Sequence, residues 1–85
     1  MSSEKFPTGR HIIAARGLLR ISQEDLAKYS GVSVPTILSW ETEQRVPRRE
    51  SVMRIRGALE RLGIEFLNSD RPGVRLHPDK AVISV

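Results

Sequence analysis

The chain has 85 residues and contains no cysteine, only two histidines, and four aromatic residues of the Phe, Tyr and Trp types. Without thiols it has no disulfide and no thiolate metal site, and it suits a reducing compartment. His11 and His77 lie far apart, and no HExxH string, glycine-rich phosphate loop or spaced carboxylate set accompanies them. Imidazole catalysis, a metal centre and a cofactor therefore lack residues to carry them, and Ser22, Ser33 and Ser39 read as caps or contact residues rather than nucleophiles. No apolar run reaches about 18 residues, and MSSEKFPTGRHI has no apolar segment behind a basic start, so neither a membrane span nor a signal peptide is expected. The expected location is the cytoplasm, and the expected protein is no enzyme.

Hydrophobic residues make up 39% and charged residues 28%, as in an ordinary soluble domain with one modest core. The net charge of +4 is unevenly spread. Residues 1–21 carry four basic and one acidic side chain, residues 22–44 one and four, residues 45–63 six and two, and residues 64–85 three and three. The basic excess at the start of the chain and after Gln44 favours an anionic partner.

Within DLAKYSGVSVPTILSWE, Asp25 to Glu41, glycine and proline set the punctuation. Helical spacing of Ile12, Ala15, Arg16 and Leu19 predicts a first helix from Thr8 or Gly9 to Leu19. Ser22 and Asp25 form a capping-box-like pair that opens a second helix, Gln23 to Ser30, and Gly31 supplies the left-handed residue that ends it. Ser33 caps a third helix that runs to about Glu43. Pro35 is tolerated in its first turn, where the amide hydrogens have no internal partner. A fourth helix opens at Glu50 or Ser51, carries the stripe Val52, Ile55, Leu59 and Leu62, and stops at Gly63. Alternation then takes over, with Ile64, Phe66 and Asn68 on one side, predicting a hairpin of residues 64–67 with 74–77 around Pro72-Gly73. An isolated hairpin is marginal, so it needs the helices or another chain.

Ala27 lies four residues before Gly31, Val32 plugs the turn, and Ile37 and Trp40 face back towards the first two helices. A small residue, a glycine and a cap at these offsets define a helix-turn-helix. With Arg16, SQEDLA at 22–27, GVS at 31–33, TI at 36–37, WE at 40–41 and PRRESVMRIRGALERLGIEF at 47–66, residues 9–67 resemble the DNA-binding domains of the phage lambda and 434 repressors and Cro, the xenobiotic-response-element family. The resemblance implies a mainly α, lambda repressor-like domain of four to five helices, here followed by the hairpin. The implied division is an arm at 1–8, the DNA-binding domain at 9–63, the hairpin at 64–77 and a tail at 78–85. The resemblance also implies a partly buried ion pair between Arg16 and Glu41, and a third helix that enters the major groove of double-stranded DNA.

In that docking mode the N-terminal residues of the third helix meet base edges. The candidates are Val34, Pro35, Thr36 and Ser39, with Thr42 and Gln44 further along. Val34 and Pro35 offer only apolar contact to a thymine methyl, where family members often have Gln or Arg, while Thr36 and Ser39 donate or accept. Direct reading is therefore modest, leaving discrimination to DNA shape or to Gln44 and Arg45. Gln23 and Ser33 at helix starts, with Arg10, Arg45, Arg48 and Arg49, are the candidate phosphate contacts. Four arginine–phosphate contacts per subunit imply a log–log salt slope of about −3.6. Trp40 reads as a packing residue rather than a base-stacking one.

The expected protein is a small transcriptional regulator, a repressor, acting as a homodimer on a near-palindromic site. Two rivals share the residues. One is an antitoxin that binds both its promoter and a toxin protein through the hairpin and the AVISV tail. The other is a protein-interaction module that no longer reads DNA, against which Gln23 and Arg48-Arg49 argue.

Overall fold

Backbone amides at helix starts need acceptors, and side chains supply them at α1, α2 and α3 but not at α4. The computed structural model describes residues 6–77. Four helices precede one hairpin: α1 (Gly9–Leu19), α2 (Gln23–Ser30), α3 (Val34–Glu41), α4 (Arg49–Arg61), β1 (Ile64–Leu67) and β2 (Gly73–Leu76). At α1 the Thr8 N–H donates to His11 Nδ1 at 2.9 Å. At α2 the Ser22 hydroxyl accepts from the Asp25 N–H at 2.9 Å while the Asp25 carboxylate accepts from the Ser22 N–H at 3.0 Å, a reciprocal capping box. Gly31 closes α2 with φ 73° and donates to the Ala27 carbonyl at 2.8 Å. Ser33 caps α3, which puts Pro35 at the second helical position.

Two helix boundaries depart from expectation, the end of α3 and the start of α4. The third helix stops at Glu41 rather than about Glu43, because Glu43 takes φ 61°. The Glu43 N–H then reaches the Trp40 carbonyl and the Gln44 N–H the Ser39 carbonyl, both at 2.9 Å, the paired bonds of a Schellman turn. Arg20 ends α1 in the same way, at φ 60°, with Arg20 and Ile21 donating to Gly17 and Arg16. Helix α4 begins at Arg49, one residue before Glu50, and the Val52 N–H bonds back to the Arg48 carbonyl at 3.0 Å. The second strand is 73–76 rather than 74–77, since Leu67 pairs with Gly73. His77 still donates its N–H to the Gly63 carbonyl at 2.8 Å. Asn68 is exposed in the connecting loop, not on the inward face.

The core joins every element. Ile12, Ala15 and Leu19 of α1 meet Leu26 of α2, Ile37 and Trp40 of α3, and Ile55, Ala58 and Leu59 of α4, closed by Ile21, Val32, Leu62, Ile64 and Phe66. Val52 packs at its margin, and Ala58 joins although the expected stripe omitted it. Strand β2 lies against α1 and β1 against α4, so the hairpin packs on its own helices. Arg56 sits 5.2 Å from the Phe66 ring and 6.0 Å from that of Phe6, drawing the entering chain onto the same side. Residues 78–85, including the AVISV segment, and residues 1–5 of the arm lie outside the described residues.

One glycine is demanded by close approach. A Cβ on Gly9 would stand 1.9 Å from the Trp40 carbonyl oxygen, so the start of α1 lies directly on the backbone at the end of α3. Gly17, by contrast, faces open space, with nothing within 4 Å of its Cβ position. Gly9→Ala is therefore expected to lose about 1–3 kcal/mol through overpacking, while Gly17→Ala gains about 1 kcal/mol through helix propensity. Chemical denaturation of both variants checks the contrast. Equal stabilities would mean that the α1–α3 contact is looser than described.

Candidate nucleic-acid interface

Helix α3 buries Ile37, Trp40 and Glu41 and turns its other side outward. Pro35 and Leu38 are exposed there, and Val34, Thr36 and Ser39 are half-buried. The Schellman turn folds the following residues back beside this face. Pro35, Thr36, Ser39, Gln44, Arg45 and Pro47 consequently line one concavity of about 420 Å³. Of the candidate base contacts, Pro35, Thr36, Ser39 and Gln44 meet in it, together with the candidate phosphate contact Arg45. Val34 and Ser33 lie outside that lining. The Ser33 hydroxyl accepts from the Thr36 N–H at 3.4 Å and lies 3.0 Å from the Thr36 hydroxyl, so both are partly occupied with the cap. The Thr42 hydroxyl donates to the Leu38 carbonyl at 2.9 Å, which leaves it only acceptor capacity.

Behind this face is a polar cluster. The Arg16 guanidinium donates from Nε to Glu41 Oε2 at 2.7 Å and from Nη2 to Oε1 at 2.9 Å, a two-pronged pair between α1 and α3. Arg16 Nη1 also donates to the Ile21 carbonyl at 3.1 Å. The Glu41 side chain is 3% exposed and that of Arg16 19%. The hydrogen bond to Glu41 raises the Arg16 pKa above its ordinary value, against the opposing effect of burial. Gln23, at the start of α2, donates Nε2 to Glu41 Oε1 at 2.8 Å. One carboxylate thus ties α1, α2 and α3 together, a role for Gln23 that sequence spacing does not reveal.

The remaining arginines divide by partner. Arg54 pairs with Glu50, Arg56 with Glu60, Arg75 with Glu65, and Arg10 with Glu43 at 3.1 Å. Arg10, a candidate phosphate contact, is thus engaged by the turn that ends α3. The guanidinium groups of Arg45, Arg48 and Arg49 have no partner among the described residues, and all three are exposed at the α3–α4 connection. Arg45 thus brings unpaired positive charge into the concavity and Arg48 and Arg49 follow it in the chain, while Arg20, Lys28 and Arg71 are likewise without an ion pair elsewhere among the described residues.

The helix-turn-helix family model matches residues 12–67. The chain belongs to the Cro/C1-type helix-turn-helix family. No curated protein matches it. This family comprises DNA-binding regulators of the xenobiotic-response-element type, generally without enzymatic activity. Among the described residues of this helix-turn-helix protein, no helix is long and apolar enough to cross a membrane, and no group of three or more His, Asp or Glu residues is placed to hold a metal ion.

Removing one partner of the buried pair strands the other charge at a cost of about 3–5 kcal/mol. Glu41→Ala is expected to melt at a markedly lower temperature than Glu41→Ala combined with Arg16→Met. Equal melting temperatures would count against a coupled pair. Two partly exposed carboxylates contribute to the acid limb of stability. The Ser22 N–H, aided by the Ser22 hydroxyl, holds the Asp25 pKa below its usual value, and Arg75, aided by His77, does the same for Glu65. A lowered folded-state pKa stabilises above the unfolded value and is lost as pH falls through the folded one. Stability should therefore decline below about pH 4, and Asp25→Asn with Glu65→Gln should flatten that decline in thermal melts. An unchanged pH profile in the double variant would contradict it.

Proposed function

We propose that this protein is a repressor that binds a near-palindromic operator as a homodimer, with α3 in the major groove of each half-site. The observation that carries the reading is the concavity of Pro35, Thr36, Ser39, Gln44 and Arg45 flanked by the unpaired Arg45, Arg48 and Arg49. Thr36, Ser39 and Gln44 supply hydrogen-bonding groups for base edges, and Val34 and Pro35 supply apolar contact to thymine methyl groups. Ser33 and Gln23 face phosphates from the starts of α3 and α2, where amide hydrogens and the helix dipole favour anions. Glu41 takes one amide hydrogen of Gln23 and thereby fixes which way the other can point. Two subunits related by a two-fold axis place their helices about 34 Å apart, one turn of DNA. The antitoxin alternative draws on the hairpin, which packs on α1 and α4, and on residues 78–85, outside the described residues, and no observation favours it.

Selection from a random duplex library at physiological salt is expected to return a palindrome with that spacing. Failure of any sequence to enrich, with the protein folded, would overturn the reading. With Arg10 held by Glu43, three arginines per subunit remain for phosphates, and the log–log salt slope should be about −2.7 per subunit rather than −3.6. Binding measured across a salt series decides this, and a flat dependence would exclude phosphate anchoring by these residues.

A further inference from the structure

A second cleft lies behind the α3–α4 connection. Phe6, Pro7, Trp40, Val46, Pro47 and Val52 line it, Arg49 is its one charged lining residue among those described, and its volume is about 310 Å³. That volume is at the lower end of small-molecule sites, and an apolar wall with few polar groups is their usual composition. Two features point to a ligand rather than to bare apolar surface. Val46 is 64% exposed although its neighbours in the cleft are apolar. Trp40 is only 2% exposed, yet its indole N–H has no acceptor among the described residues. No fully buried side-chain donor lacks a partner among the described residues, so this N–H is not sealed from solvent, and Trp40 is one of the residues that line the cleft.

We propose that this cleft binds a small aromatic carboxylate and that occupancy weakens DNA binding. The ring lies among Phe6, Val46, Pro47 and Val52, and the carboxylate accepts from the Arg49 guanidinium and the Trp40 N–H, a charge-assisted and a neutral hydrogen bond. Regulation rests on the DNA-binding reading above, in which Arg49 serves a phosphate. A ligand carboxylate and a DNA phosphate then compete for one guanidinium. Pro47 adds a second link, because it lines both this cleft and the concavity beside α3. By linkage, ligand and DNA lower each other's affinity by the same factor.

The probe is phenylacetate, titrated into the full chain without DNA and followed by fluorescence of the one tryptophan, which lines the cleft. A saturable change with a dissociation constant on the order of 1 mM is expected, and phenylacetamide, its neutral counterpart, should bind about tenfold more weakly. Arg49→Gln should reduce phenylacetate to the level of phenylacetamide without altering the latter, and Val46→Glu, which removes a ring contact and sets a like charge at the cleft, should weaken both ligands and phenylacetate the more. A linear response, or equal responses in wild type and both folded variants, overturns the site. In the second arm, saturating phenylacetate should lower affinity for a selected duplex several-fold in wild type but not in Val46→Glu. Unchanged duplex affinity overturns the regulatory role. Because the first arm contains no DNA, it decides the cleft's chemistry even if no duplex is bound.

Discussion

Glu41 is the group on which the rest of the structure depends. Its carboxylate is almost fully buried, where an isolated charge is far less stable than in water, so it must be met by positive charge and hydrogen-bond donors. Arg16 supplies both prongs and Gln23 a third bond, and the three side chains come from three different helices. The angle of α3 against α1 and α2 is thereby fixed by directional bonds in addition to the non-directional packing of Ile12, Leu26, Ile37 and Trp40. Gly9 allows the same junction to close, because only a residue without a side chain fits against the Trp40 carbonyl. In the proposed binding mode α3 meets DNA and has to be held at a defined angle, and this cluster ties α3 to α1 and α2.

The turn after α3 converts that placement into a surface. Glu43 accepts a left-handed backbone conformation that costs a non-glycine residue roughly 1 kcal/mol, and in return Gln44 and Arg45 fold back beside Thr36 and Ser39. The pairing of Glu43 with Arg10 helps to hold the turn. Polar groups that would trail beyond the helix are instead gathered next to it. The apolar cleft on the other side of Pro47 is a by-product of the same geometry.

Local signals were legible in the sequence, and long-range ones were not. The Ser22–Asp25 box, the left-handed Gly31, the cap at Ser33 and the first-turn proline are each set by residues within a few positions, and α1 and α2 run between the bounds that such signals imply. The end of α3 was not legible, since Thr42 and Glu43 are compatible with helix and no glycine marks the reversal. Arg20 likewise takes a left-handed conformation without being glycine, although the end of α1 at Leu19 was read correctly from helical spacing. The meeting of Gln23 with Glu41 and of Arg10 with Glu43 depends on how helices pack, which periodicity does not encode. The family resemblance supplied the Arg16–Glu41 pair where spacing alone would have left two separate charges, and nothing in the sequence pointed to a cleft behind the α3–α4 connection.

The most direct test of the account is backbone amide NMR on the labelled protein during titration with a duplex. The resonances expected to shift first and furthest are those of Gln23, Ser33 to Thr36, Ser39 and Gln44 to Arg49, with the hairpin at 64–67 and 73–76 nearly unmoved. Shifts confined to the hairpin, with α3 and the Arg45–Arg49 connection silent, would contradict it.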